Sequence, residues 1–242
     1  MHLEELQAFV LSSSDYGESD RIVSLFTLEH GRIKGFARGA RKSRKRFGPA
    51  LEPFARVNIQ LFLKNGLSSL RSADIIDLYS GVRNNLEAIA HAIYACELLE
   101  LLTPEGVSLP RLFRLFSAYI SSLDTGERGM AGRRFFEANL LNILGYRPSL
   151  YACSRCGAEF DMRGALVLYG GEVLCFSCTG SGRRISINAL RKLDSCLSTG
   201  KFGAIIFQKG ELGEIALLLD ELLMAHSGRK IKSLDFLNQV SD

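Results

Sequence analysis

The sequence predicts an α+β chain: an N-terminal five-stranded β-barrel followed by an α-helical domain with a four-cysteine knuckle inserted between its helices. Three observations carry this. Apolar residues alternate with a period of two early in the chain and switch to a helical period near Gly81. Asn65-Gly66 lies between two strand-like runs, and this dipeptide favours tight hairpin turns. Cys153 and Cys156 are separated by two residues, as are Cys175 and Cys178, the spacing of a metal-binding knuckle.

The strands follow in order. Leu6 to Ser12 is a short apolar run. Arg21 to Thr27 is β-branched and aromatic, His30-Gly31 makes a turn, and Arg32 to Ala37 continues with Ile33 and Phe36. Ala55 to Leu63 alternates: Val57, Ile59, Leu61 and Leu63 share one face, Asn58, Gln60 and Phe62 the other. Leu67 to Ile76 follows the Asn-Gly turn. Five such strands suit a small Greek-key barrel of the oligonucleotide-binding (OB) type, although strand count and turns alone also fit other small barrels.

From Gly81 the pattern is helical. Leu86, Ile89, Ala90 and Ile93 form a stripe that continues through Leu98 and Leu102 and stops at Pro104. Ser108 and Pro110 suit a new helix start, with Leu112, Phe116, Tyr119, Ile120 and Leu123 as its apolar face. A third helix runs from about Gly132 to Leu144, with Gly145 as its C-terminal cap. After the cysteines, Ser186 caps a helix bearing Leu190, Leu193 and Leu197. Helices over 211–226 and roughly 232–240 complete the chain. The expected division is residues 1–80, an OB-type nucleic-acid-binding domain, and 81–242, a helical domain with the knuckle at about 149–182.

The chain has 242 residues, 47% of them hydrophobic, enough for a core that does not depend on metal or disulfides. No apolar run approaches the roughly 18 residues of a membrane span. The opening Met-His-Leu-Glu-Glu-Leu carries acids where a signal peptide would be basic, so a cytoplasmic protein is expected. Of the six cysteines, Cys96 and Cys196 sit singly in apolar helical patterns, and reduced thiols are the default for that compartment.

Cys153, Cys156, Cys175 and Cys178 form a Cys-x2-Cys-x18-Cys-x2-Cys pattern. Two thiolates three residues apart grip one ion from a tight turn, and two such turns supply the four tetrahedral sulfurs that zinc prefers. Gly157 provides the left-handed residue such a turn often needs. The segment between, with Ala165–Leu168, Gly170-Gly171 and Val173-Leu174, reads as a β-hairpin. Redox pairs and metal-free buried thiols are the alternatives. Four cysteines leave no open coordination position, so the expected zinc is structural rather than catalytic.

Net charge is only +4, but its distribution is uneven. Arg32, Lys34, Arg38, Arg41, Lys42, Arg44, Lys45 and Arg46 lie in one stretch that contains no Asp or Glu. Most of them fall in the connection from Arg38 to about Pro53, long for a compact barrel. A mobile basic loop on an OB-type barrel matches the phosphates of a nucleic acid, whose condensed counterions it releases. A solvated charged loop is the bland alternative. Phe36, Phe47 and Phe54 are candidate stacking residues, with core packing the more ordinary role for each.

No enzyme signature is present. Thr199-Gly200-Lys201-Phe202 lacks the upstream Gly and the following Ser/Thr of a phosphate-binding loop. His2, His30, His91 and His226 show neither ligand nor triad spacing. His2-Leu3-Glu4 has the His-x-Glu form of a deaminase, but neither Cys-x-x-Cys is preceded by proline.

The order of parts and several segments resemble the bacterial recombination and repair mediator family RecO. The segments are Ala8–Leu11, Asp15–Val23 with Phe26-Thr27, Glu29–Gly31, Ala37–Arg46, Leu51–Phe54, Arg133–Glu137 with Leu140-Leu141, Leu144–Tyr146 with Pro148, and Arg229–Leu234. Together they span nearly the whole chain. The resemblance implies a non-enzymatic DNA repair and recombination mediator, cytoplasmic and nucleoid-associated. Such a protein binds single- and double-stranded DNA and anneals complementary strands. With RecR, and often RecF, it helps load RecA onto strands coated by single-strand-binding protein (SSB). It further implies contact with the acidic, apolar SSB C-terminal tail through a basic and hydrophobic patch on the helical domain, where Arg133 and Arg134 lie on a suitable helix. Two readings from other classes compete. An OB-and-zinc regulator of transcription or translation would prefer RNA, and a scaffold binding an acidic protein would not bind DNA at low salt.

Overall fold

β1 (Leu3–Tyr16) is the strand around which the barrel closes. It pairs antiparallel with β4 (Arg56–Phe62) along its first half and with β2 (Asp20–Thr27) along its second. An irregularity between Val10 and Ser12 bends it from one partner to the other. β3 (Gly31–Ala37) runs antiparallel to β2 and parallel to β5 (Leu67–Asp77), giving a closed barrel in the order β1-β2-β3-β5-β4. All five expected strands are present. The computed structural model describes residues 2–43, 45–126 and 129–240.

The alternation in β4 does what it predicts. Val57, Ile59 and Leu61 are buried with Leu6, Ala8, Val10, Val23, Leu25 and Ile33, while Asn58 and Gln60 keep part of their surface in water. Each large aliphatic side chain so buried contributes about 1.5–3 kcal/mol. β1 is longer than its apolar run. Ser12 to Asp15 are polar, and their strand conformation comes from the ladder with β2. The His30-Gly31 turn requires glycine: Gly31 has φ of +61°, and a Cβ there would meet the Val107 carbonyl oxygen at 1.8 Å.

The other face of β1 and β2 is covered by helices. α1 (Ser80–Arg83) leads into α2 (Leu86–Leu102), whose start is capped by the Asn85 side chain accepting from the Ala88 N–H at 2.9 Å. α3 (Pro110–Asp124) begins on the expected proline. Phe9 of β1 meets Phe116 edge-on at 4.9 Å and Phe113 at 5.2 Å; Phe26 of β2 lies 6.0 Å from Phe113. These helices therefore pack with the barrel. The change of period near residue 80 separates strand from helix, whereas packing divides the chain into Met1–Gly126 with Ile231–Asp242, and Glu127–Lys230.

The last helix, written α7 (Ser233–Val240), belongs to the barrel unit. The Glu97 carboxylate on α2 accepts the Lys232 N–H at 3.0 Å and the Ser233 N–H at 2.7 Å, satisfying donors at its start.

The Glu127–Lys230 unit holds α4 (Met130–Ile143), β6 (Ala165–Val167), β7 (Val173–Leu174), β8 (Arg183–Ile185), α5 (Ile187–Thr199) and α6 (Lys209–Ser227). The expected hairpin is β6–β7. β8 adds a third strand on the other side of β6, in the order β7-β6-β8. Gly145 ends α4 in the left-handed conformation, with the Tyr146 N–H returning to the Leu141 carbonyl at 2.8 Å. Ser186 caps α5 through the Ala189 N–H at 3.2 Å. Among the described residues no helix is long and apolar enough to cross a membrane.

Candidate nucleic-acid interface and candidate metal centre

The described residues of the basic connection between β3 and β4 are tied to the barrel by hydrogen bonds at both ends. The Asp20 carboxylate, at the start of β2, accepts the Gly39 N–H at 2.7 Å. The Arg41 N–H reaches the Ser19 carbonyl at 3.0 Å, and the Ser43 N–H reaches the Gly39 carbonyl at 3.0 Å. At the far end Phe47 is buried in the barrel core and the Ala73 N–H bonds the Arg46 carbonyl at 3.0 Å. The Gly39 amide, helped by the Ser19 hydroxyl and the Arg38 charge against some desolvation, holds Asp20 below the usual carboxylate range.

This frame sorts the cations. Lys34, Arg38, Arg41, Lys42, Lys45 and Arg46 are exposed. Arg46 is also bonded locally: it donates to Ser43 Oγ at 3.0 Å and to the Arg38 carbonyl at 2.8 Å, with its guanidinium 5.0 Å from the centre of the Phe47 ring. Arg32 is half-buried. Its Nε and one terminal nitrogen donate to the Thr103 carbonyl at 3.2 and 3.0 Å, tying β3 to the end of α2. Lys34 lies 4.0 Å from Glu105. Arg44 lies outside the described residues.

The aromatic candidates divide similarly. Phe47 and Phe54 are buried, while Phe36 is half-buried on the outside of the barrel. Phe36 meets Tyr16 edge-on at 5.8 Å, and Tyr16 is 57% exposed. Sequence reasoning missed Tyr16. The signal was present: it is an aromatic residue at a strand end just before Gly17, where a turn begins. Arg71 on β5 is also exposed and lies outside the loop run that drew attention.

In the other unit, the four cysteines converge. Their sulfurs all lie within 4.8 Å of one another, and Cys156 and Cys175 are 3.7 Å apart. A tetrahedral site with Zn–S bonds of about 2.3 Å needs sulfur–sulfur edges of roughly 3.8 Å, so the donor set fits with a small contraction. Each knuckle is closed by its backbone: the Gly157 N–H reaches the Cys153 carbonyl at 2.9 Å, and the Cys178 N–H reaches the Cys175 carbonyl at 3.1 Å.

Burial opposes ionisation of Cys153, but the N–H groups of Cys156, Cys175 and Arg155 together outweigh it and lower the thiol to about 6. Hydrogen bonding to the Cys156 and Cys175 sulfurs, with burial, pushes Cys178 up to about 12. Four sulfurs this close resist sharing four negative charges; a divalent cation removes that resistance. Cys96 and Cys196 are buried on α2 and α5, and burial raises both thiols, Cys196 to about 12.

Arg133 and Arg134 are not surface groups. Each is 4% exposed on α4. Arg133 Nε donates to Glu137 Oε1 at 2.7 Å, and Arg134 donates to Glu137 Oε2 at 2.7 Å and to Asp220 of α6. They join α4 to α6 inside the unit, so although they lie on a helix of the helical domain their charges face its interior.

Comparison with known proteins gives a consistent result. Residues 1–79 match the family described as Recombination protein O N terminal, and residues 83–235 match Recombination protein O C terminal. The chain is 56% identical over 243 residues to the DNA repair protein RecO of Pelobacter propionicus, covering 100% of this chain and 99% of that protein. It is 52% identical over 242 residues to the DNA repair protein RecO of Geobacter sulfurreducens, with all of both chains covered. With that of Myxococcus xanthus the identity is 39% over 235 residues, 96% of each chain.

Proposed function

The chain belongs to the RecO family of DNA repair proteins, and from that premise we propose that it is a non-enzymatic mediator of repair and homologous recombination. In this reading it binds single- and double-stranded DNA and anneals complementary strands. With RecR, and with RecF, it helps RecA load onto strands coated by SSB, whose C-terminal tail it contacts. It acts in the cytoplasm at the nucleoid.

The observation that carries the reading is the folded basic loop. Annealing makes no covalent bond. It requires two polyanions to approach while their bases stay free to pair. A loop whose backbone is held by Asp20, Ser19 and the barrel core presents Arg38, Arg41, Lys42 and Lys45 to solvent as one set, with Lys34 on the adjoining strand. Contacts of this kind engage phosphates without reading bases. Four to six of them give a slope of log affinity against log salt of about −3 to −4 on single strands. Arg32 and Arg46 contribute by fixing the strand and loop that display the others. Residues 1–80 act as the nucleic-acid-binding domain.

Cys153, Cys156, Cys175 and Cys178 hold one structural zinc. Bound there, the ion supplies a cross-link between two turns in a segment too short for a large core of its own. Elemental analysis of purified protein should find one zinc per chain, lost in Cys156→Ala; a full zinc content in that variant would remove these four residues as the ligand set.

The decisive experiment is annealing of complementary DNA strands coated by SSB, with and without RecR. Stimulation is expected. No stimulation in either condition overturns the mediator reading, and preferential binding of RNA would favour a regulator.

A further inference from the structure

Beside the basic loop lies a cavity of about 350 Å³ lined by Arg21, Ala40, Arg41, Gly48, Pro49 and Glu52. Its two cations are occupied in an unusual way. Arg21 Nε lies 3.2 Å from one oxygen of Asp15, and Arg41 Nε lies 3.4 Å from the other. One carboxylate thus bridges two guanidinium groups, one oxygen to each. The two non-bridging oxygens of a phosphodiester can be held in the same way. Arg21 also reaches Glu52 at 3.3 Å, and Arg41 donates to the Glu18 carbonyl at 3.3 Å.

The positions are well defined. Asp15 and Arg21 are direct cross-strand partners in the β1–β2 ladder, and Arg41 is fixed by its N–H bond to Ser19. The ion pairs are nevertheless open to water, with side-chain exposures of 28% for Arg21, 43% for Arg41 and 51% for Asp15. Exposed pairs of this kind are weak and readily exchanged.

We propose that the Arg21–Arg41 fork is a binding site for a backbone phosphate of nucleic acid, and that Asp15 occupies it in the free protein as a built-in competitor. The proposal rests on the nucleic-acid reading of the loop and adds to it a site and a means of control. A phosphate entering the cavity displaces the Asp15 carboxylate, which swings into water. The loss of the Asp15 contacts offsets part of the gain, so the strand is held loosely at this point. That suits a protein that must release strands once they pair. A phosphodiester is favoured over an acidic peptide because the loop that carries Arg41 also carries the exposed Arg38, Lys42 and Lys45, and several exposed cations in one loop match a repeating polyanion.

The test compares binding of a fluorescent oligothymidylate to the full chain across a salt series. Asp15→Asn is expected to tighten binding roughly two- to tenfold, the range set by losing two exposed ion pairs. It should also steepen the salt slope by about 0.7 to 1.4, one or two added phosphate contacts. Arg21→Ala added to Asp15→Asn should cancel the gain. Glu18→Gln removes the same charge from a neighbouring exposed residue and controls for general electrostatics. Equal gains in Asp15→Asn and Glu18→Gln, or no gain in Asp15→Asn, overturn the proposal. So does a gain for an acidic peptide alone, which would make the fork a peptide site. An oligonucleotide carrying a 5′-phosphate, compared with one lacking it, separates an internal phosphodiester from a terminal phosphate. If Arg38→Ala, Lys42→Ala and Lys45→Ala weaken binding while Asp15→Asn has no effect, the loop reading survives and this inference fails. If the wild-type chain binds no DNA, both fail.

Discussion

The arginines of α4 and those of the β3–β4 loop are the same residue type put to opposite uses. Arg133 and Arg134 are turned inward onto Glu137, which has no exposed surface, and onto Asp220. Arg38 and Arg41 are turned outward on a backbone that other residues hold in place. Both segments are rich in positive charge as sequence. Only one can meet a polyanion, because the charge of the other is already neutralised where water is excluded. The lesson is that a cation's function depends on which carboxylate, if any, reaches it first.

The largest expected effect breaks the inward pair. Glu137→Ala leaves two arginines buried beside an empty space and should cost about 3–5 kcal/mol of stability, read from urea unfolding. The salt slope of DNA binding by the remaining folded protein should not move. A stability near wild type would mean that the cluster is hydrated and that the contrast with the loop is false.

The next effect concerns the outward set. Changing Arg38, Lys42 and Lys45 together to Ala should alter stability by no more than about 0.5 kcal/mol, since all three are exposed. It should reduce the magnitude of the single-strand salt slope by about 2. An unchanged slope would take the loop out of the interface.

The smallest effect tests the frame. Asp20→Asn should speed hydrogen exchange at the Gly39 amide at neutral pH while leaving the melting curve nearly intact. Because the fold lowers the Asp20 pKa, its contribution is present above the ordinary carboxylate value and is lost as pH falls through the lower folded value. In the wild type, the loop should therefore loosen only below about pH 4, visible as a shift of the Gly39 amide resonance. Loosening near neutral pH would point to a different anchor.

Much of this was legible in the sequence, for physical reasons. Alternation in β4 reports which face is buried, and Asn65-Gly66 reports a turn, because both are local. Pro110, Gly145 and Ser186 marked helix ends through backbone geometry that only a few residues satisfy. The convergence of the four cysteines was legible because two Cys-x-x-Cys turns are a local pattern, and their sulfurs do lie within 4.8 Å of one another.

What stayed hidden depends on partners distant in the chain. The polar half of β1 is strand only because β2 lies beside it. The three residues of β8 carry no pattern of their own and are recruited by β6. The loop's order comes from Asp20, whose partner Gly39 is 19 residues away. The burial of Arg134 depends in part on Asp220, 86 residues away. The local signal that existed, Glu137 three and four residues after two arginines, also fits a pair of solvent-exposed ion pairs on a helix surface.

The barrel unit is assembled from two separated stretches of chain, because α7 docks on α2 and has its first amides held by Glu97. During synthesis, the whole of Glu127–Lys230 must emerge between them. At about 5–20 residues per second, that interval lasts roughly 5–20 seconds. Throughout it the barrel and its basic loop can form while one side of α2 waits uncovered, and the four cysteines can come together before that side is closed. The order of birth along the polypeptide therefore lets the Glu127–Lys230 unit form first and leaves the barrel unit to be sealed by the segment that follows it.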